Sequence, residues 1–205
     1  MSEDSFREDV LFIVDASSSM AHGSRYGDDS NPSDFRYEPW ESTIEMLNKI
    51  TETGISFDVI SGSSGPRGVT KSYRFPDGSD ALHGYGPAGW HNFDEVFLFS
   101  TITIDWSKPK TIFIVDRGPT FQKELIAYLK FIITALNKNL NLYWIPIGNE
   151  PGTRLVWPYP YKKLGLRADQ VIYYPNFKDT YDYSMLPGVV ASEITEVVGG
   201  RCGYN

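Results

Sequence analysis

The chain has 205 residues, 41% hydrophobic and 22% charged, proportions that suit one globular domain large enough to bury a sizeable core. A formal net charge of -7 argues against nucleic acid or an anionic membrane surface as the partner, since both select a basic face. The single cysteine, Cys202, excludes an internal disulfide and a multi-cysteine zinc site, and the acidic start MSEDSFREDV does not resemble a secretory signal.

No apolar run approaches the ~18 residues that a membrane span requires. These features predict a cytoplasmic or intracellular protein, or one incorporated in a particle assembled there. Strand and helix signals then alternate along the chain. Val10 to Val14 is a continuous apolar run of the kind found in buried parallel strands. It leads into Asp15 and three serines. A polar stretch, residues 21–37, follows. Pro39 suits the first turn of a helix in which Trp40, Ile44, Leu47 and Ile50 recur at helical spacing, with Gly54 as its stop.

Ile55 to Gly62 reads as a second strand, and Val69 to Phe75 alternates as an edge strand does. A long glycine-rich loop comes next. FDEVFLFSTITIDW fits two elements: its β-branched end suits a strand, while Asn92 as N-cap would open a helix. TIFIVDRG is another buried strand, ending in Asp116. The clearest helix follows it, opened by Pro119 or Thr120, with Leu125, Leu129, Ile132 and Leu136 lining one face and Asn137 to Asn139 closing it. LNLYWIPIG is a strand, DQVIYYP is expected to be the last one, and SMLPGVVASEITEVVGG contains the final helix. Residues 153–183 are rich in aromatics, which serve either a thick core or a contact surface.

This alternation predicts a single domain over residues 1–205. The fold class is α/β: three layers, a doubly wound and mostly parallel Rossmann-like sheet with helices on both faces. In such sheets, ligands bind beyond the carboxyl ends of the strands. Asp15 and Asp116 both stand at such ends.

Asp15, Ser17 and Ser19 are spaced by two, which lets a loop turn three oxygens toward one point. Carboxylate and hydroxyl oxygens suit a hard divalent ion. Mg²⁺ keeps several waters, so a few protein ligands suffice, and Asp116 adds a second carboxylate, directly or through water. The same residue types also cap helices and form turns.

The pattern resembles the von Willebrand factor A domain, in which D-x-S-x-S follows the first strand and forms a metal-ion-dependent adhesion site. FIVDASSSM is similar to that strand and metal loop, ISFDVISGSSG to the second strand, and TIFIVDRG to the later strand whose terminal aspartate completes the site. The resemblance runs from about Val10 to Val198. It implies a metal set of Asp15, Ser17, Ser19 and Asp116, holding Mg²⁺ or alternatively Mn²⁺ or Ca²⁺. It further implies a protein-binding module whose partner offers an Asp or Glu carboxylate to the ion, with no enzymatic activity. Many intracellular relatives work beside ring-shaped AAA+ ATPases or in assembly complexes.

Two departures accompany the resemblance. The stretch matching the third metal loop, AGWHNFDEVF, has Trp90 where the family has threonine. An indole offers no oxygen, so His91, Asn92 or water would stand in, and the site reads as partly degenerate. The insert 21–37 carries Arg25, Tyr26, Asp28, Asp29, Phe35 and Arg36, a candidate partner-binding loop beside the metal face. Two other readings remain open. One is a structural component of a phage or virus particle that keeps the fold but not the metal. The other is a metal-dependent phosphoesterase using Asp15; it lacks a general acid, because Ser17 stands where an acid–base carboxylate would be needed.

Overall fold

The computed structural model describes residues 9–17, 20, 39–64, 70–75, 93–108, 111–116, 118–119, 122–147, 161–172 and 186–199. Five strands form one sheet: β1 (Val10–Asp15), β2 (Asp58–Ser64), β3 (Thr70–Phe75), β4 (Thr111–Asp116) and β5 (Asn141–Pro146). Their spatial order is β3-β2-β1-β4-β5. β1 pairs in parallel with β2 and β4, and β4 with β5, while β3 runs antiparallel to β2 at one edge. The expected mostly parallel sheet is what forms.

Helices cover both faces, and this explains the unbroken apolar runs. Every residue of β1 and of β4 is buried, because alternate side chains enter two different cores. On one side, Phe12, Val14, Phe113 and Val115 pack with Trp40, Ile44, Leu47 and Ile50 of α1 (Pro39–Glu52) and with Ile194 of α4 (Ala191–Gly199). Phe113 stacks on Phe12 at 4.9 Å and on Tyr143 at 5.3 Å. On the other side, Leu11, Ile13, Ile112 and Ile114 meet Val96 and Phe97 of α2 (Phe93–Thr103) and Tyr128, Phe131 and Ile132 of α3 (Gln122–Asn137).

The helix boundaries follow local chemistry. Gly54, just past α1, adopts a left-handed φ of 84°, a conformation that costs glycine little and ends a helix. Asn139 does the same for α3 with φ 56°, and Leu140 donates back to the Ala135 carbonyl at 3.1 Å. The ambiguous FDEVFLFSTITIDW stretch is helical. Its hydroxyl residues do not oppose this, because Ser100, Thr101 and Thr103 each bond the carbonyl four residues back, at 2.7, 2.7 and 2.8 Å. Asp94 and Glu95 occupy its first turn, where the helix dipole favours acids.

Three expectations need correction. β2 begins at Asp58 rather than Ile55 and continues to Ser64. The strand expected at DQVIYYP does not form over its described part, Asp169 to Ile172: a 3₁₀ turn takes Ala168–Gln170, and the only sheet contact described there is one bridge from Val171 to Trp144. Val171 and Ile172 are held by packing, with one backbone bond to the Trp144 carbonyl at 2.9 Å. Lastly, α3 buries Glu124, Tyr128, Phe131, Ile132 and Ala135, so of the predicted row Ile132 lies in the core and Leu125 packs against it, while Leu129 is half-buried and Leu136 exposed. The large rings of Tyr128 and Phe131 reach Phe97 at 4.6 and 4.8 Å, and this aromatic contact sets the rotation of the helix. A π-helical turn at Leu186–Val190 leads into α4. No described helix is long and apolar enough to cross a membrane.

Candidate metal centre at the carboxyl rim

β1 and β4 are central neighbours in the sheet, registered from Val10 opposite Thr111 to Val14 opposite Val115. The next position in that register is Asp15 beside Asp116. Adjacent strands lie about 4.8 Å apart, and aligned residues of parallel strands share a face. The two carboxylates therefore stand side by side, at the ends where the sequence placed them. Both are withdrawn from solvent, Asp15 at 1% exposure and Asp116 at 0%.

The loop after β1 folds back onto Asp15. The Ser17 amide donates to Asp15 Oδ1 and the Ser17 hydroxyl to Oδ2, each at 2.9 Å. Ser17 is itself buried, and the Met20 amide donates to its carbonyl at 2.9 Å, closing a tight turn. On the β2 side, the Ala16 amide reaches the Gly62 carbonyl at 3.1 Å and the Ser61 hydroxyl reaches the Val14 carbonyl at 3.0 Å. Small residues at the end of β1 thus let a carboxylate, a hydroxyl and main-chain groups occupy one compact turn.

Asp116 is positioned with equal care. Its Oδ2 accepts the Gly118 amide at 2.9 Å. Gly118 has φ 101°, a backbone that residues with a β-carbon rarely adopt, so glycine is what allows the amide to turn toward the carboxylate. The Asp116 carbonyl accepts the indole N–H of buried Trp144 at 3.0 Å and the Ile147 amide at 3.1 Å. These three contacts fix the end of β4. Sequence reasoning did not single out Gly118 or Trp144 as supports; the G after "DR" in TIFIVDRG was the one available signal.

Two further features at this end of the α2/α3 layer escaped the sequence reading. Glu124, in the first turn of α3, is completely buried. Lys123 of the same turn reaches across to Asp94 in the first turn of α2 at 3.4 Å, tying the two helix starts together.

The donor chemistry fits a hard divalent cation. Two buried carboxylates about 5 Å apart repel by about 3 kcal/mol at an effective dielectric constant of about 20. A cation held between them reverses the sign of that interaction. Among the described residues, no group of three or more His, Cys, Asp or Glu side chains could hold a metal. The available set is two carboxylates and a serine hydroxyl, sufficient for an ion that retains waters. Ser19, Trp90, His91 and Asn92 lie outside the described residues, as do the insert 21–37 with Arg25, Tyr26, Asp28, Asp29, Phe35 and Arg36. The aromatic-rich segment is described only over Tyr161 to Ile172.

No family model matches the sequence, and no curated protein matches it. Solved structures do. The chain is similar to proximal thread matrix protein 1 of the mussel byssus in two structures. One is its crystal form 2 (TM-score 0.54, 12% identity, 93% of this chain and 45% of that one). The other has a zinc-occupied MIDAS motif (TM-score 0.55, 11% identity, 95% of this chain and 46% of that one). A manganese-loaded TRAP protein of Plasmodium vivax matches with TM-score 0.44 and 17% identity, over 71% of this chain and 59% of that one. The chain thus spans roughly half the length of the byssus protein. At such identities the likeness establishes architecture. It agrees with the sheet and the helices on both its faces: this chain has the von Willebrand factor A fold.

Proposed function

We propose that the chain is a protein-binding module whose contact with its partner runs through a divalent cation at the carboxyl rim. Asp15 and Ser17 would hold the ion, Ser19 would add a hydroxyl, and Asp116 would supply the second carboxylate. The observation that carries the reading is the side-by-side burial of Asp15 and Asp116 at the ends of the two central strands. When bound, the cation would supply an electrophilic position for a carboxylate oxygen, and a protein presenting Asp or Glu is the partner that chemistry selects. Mg²⁺ is the proposed ion, with Mn²⁺ or Ca²⁺ as substitutes of the same oxygen preference.

The protein's own groups hold and orient. The Ser17 amide and hydroxyl aim the Asp15 oxygens, the Gly118 amide aims Asp116, and the rigid sheet keeps the pair together. In this reading the site binds without turning over a substrate: Ser17 stands where a phosphoesterase would need an acid–base carboxylate. Titrating the purified chain with Mn²⁺ by electron paramagnetic resonance tests the first half. Wild type is expected to bind one ion, and Asp15→Ala and Asp116→Ala to lose it. Equal binding by all three proteins would overturn the metal assignment. Capture of partners from the native source with and without chelator tests the second half. Magnesium removal that left capture intact would overturn the carboxylate–ion contact.

A further inference from the structure

Among the described residues, Trp144 is the largest side chain with no exposure to solvent. A phenylalanine would fill much of the same space, but an indole also brings an N–H that a buried position must satisfy. That N–H donates to the main-chain carbonyl of Asp116 at 3.0 Å, across 28 positions of sequence. Trp144 pairs with Ile114 in the register of β4 and β5, while Asp116 pairs with Pro146. The ring therefore reaches two residues along the sheet, from the core to the rim.

The Asp116 carbonyl belongs to the peptide group by which the chain leaves β4. It accepts the Ile147 amide at 3.1 Å as well as the indole, and two donors from different directions hold the peptide plane. One peptide further on lies the buried Gly118 amide, the group that donates to Asp116 Oδ2. A first peptide free to rock would carry that amide away from the carboxylate. Trp144 is itself held from its other side. Its carbonyl accepts the Ile172 amide at 2.9 Å, Val171 bridges to it, and Leu164, Leu166 and Val171 share its core.

We propose that Trp144 is a positioning residue of the rim: through the Asp116 carbonyl, its indole N–H sets the direction of the Asp116 carboxylate and with it the cation affinity of the site. The effect on affinity rests on the cation reading above. The effect on the Asp116 turn rests on the hydrogen bonds alone. What the site uses is the N–H, not the volume of the ring.

Two variants of the full chain separate the two. Trp144→Phe removes the N–H with part of the ring. 3-Benzothienylalanine incorporated at position 144 keeps both rings and carries sulfur in place of N–H, so it serves even where the smaller residue fails to fold. Phe131→Leu, a cut in the same core at a ring that packs on Phe97 and Trp106, is the control. The first measurement is amide hydrogen exchange by nuclear magnetic resonance in chelator. Relative to the Ile13 amide of the same protein, the Gly118 amide should exchange about fivefold faster in both Trp144 variants, and at the wild-type ratio in Phe131→Leu. The second is Mn²⁺ titration by electron paramagnetic resonance, well below each Tm. The Kd should rise about threefold or more in the Trp144 variants and stay at the wild-type value in Phe131→Leu. An unchanged Gly118 ratio in the benzothienyl protein, or a Kd there equal to that of wild type, would overturn the proposal. So would an equal change in Phe131→Leu, which would make Trp144 a core residue and no more. Wild type that binds no Mn²⁺ would overturn the cation reading instead, and the Gly118 ratio would still decide whether Trp144 orients Asp116.

Discussion

Replacing Asp116 by asparagine separates electrostatics from shape at the rim. Asparagine keeps the carbonyl oxygen that accepts the Gly118 amide, now 2.9 Å from Asp116 Oδ2. It removes one of two buried charges on adjacent strands. At a separation of about 5 Å and an effective dielectric constant of about 20, the lost repulsion is at most about 3 kcal/mol. For a chain of this size, 1 kcal/mol moves Tm by about 2–4 °C. The metal-free Asp116→Asn protein should therefore melt up to about 6–12 °C above wild type. A cation should reverse the ranking. Metal at 100 times its Kd stabilises a one-site protein by about 2.7 kcal/mol, an increase in Tm of about 5–10 °C. Wild type should show that rise and the variant should show little of it. Calorimetry at pH 7, in chelator and then in excess MnCl₂, reads both effects. A metal-free variant that melts below wild type would refute the repulsion argument. The same Mn²⁺ shift in both proteins would refute the shared site.

Gly118→Ala forces a β-carbon onto a backbone at φ 101°; it should cost about 1–3 kcal/mol in urea denaturation and weaken Mn²⁺ binding, because the amide that orients Asp116 moves with the strained turn. Phe113→Ala removes a fully buried ring stacked between Phe12 and Tyr143 and should cost about 3–5 kcal/mol by the same assay, with no effect on metal stoichiometry in the folded fraction. Glu193 has its carboxyl held above the ordinary 4.5, first by desolvation and then by Glu196. A raised folded-state pKa gives a stability contribution present below the unfolded value and lost as pH rises through the folded one. Glu193→Gln should accordingly be more stable than wild type at neutral pH, with the difference vanishing below about pH 4; an equal difference at both pH values would count against this account.

Much of the architecture is carried by local pattern. Unbroken apolar runs at Val10–Val14 and Ile112–Val115 specify strands covered on both faces, because such runs bury the side chains on both sides of the strand. The Trp40, Ile44, Leu47, Ile50 period specifies the buried face of α1, and all four residues are in the core. Placing an aspartate at the end of each of two such strands was likewise visible in the letters. Their adjacency was not. Local sequence cannot say that β1 lies between β2 and β4, since that order arises from the crossover connections of the whole sheet.

The elements that the sequence misread or left open share one cause. In the described part of DQVIYYP, Asp169 to Ile172, one bridge joins Val171 to the sheet, and the side chains of Val171 and Ile172 are buried in the two opposite cores. In α2, β-branched residues favoured a strand until hydroxyl-to-carbonyl bonds and burial of Val96 and Phe97 made a helix the better solution. In α3, two apolar stripes compete for the core. The predicted row keeps Ile132 in the core, but the Tyr128 and Phe131 rings make the aromatic contacts with Phe97 and take the rest of the interior from Leu129 and Leu136. The amino-acid sequence by itself determined which segments must be buried and which oxygens lie at strand ends. Only the tertiary structure decided which of those segments are neighbours and which helix face is left outside, because both depend on contacts between residues far apart in the chain.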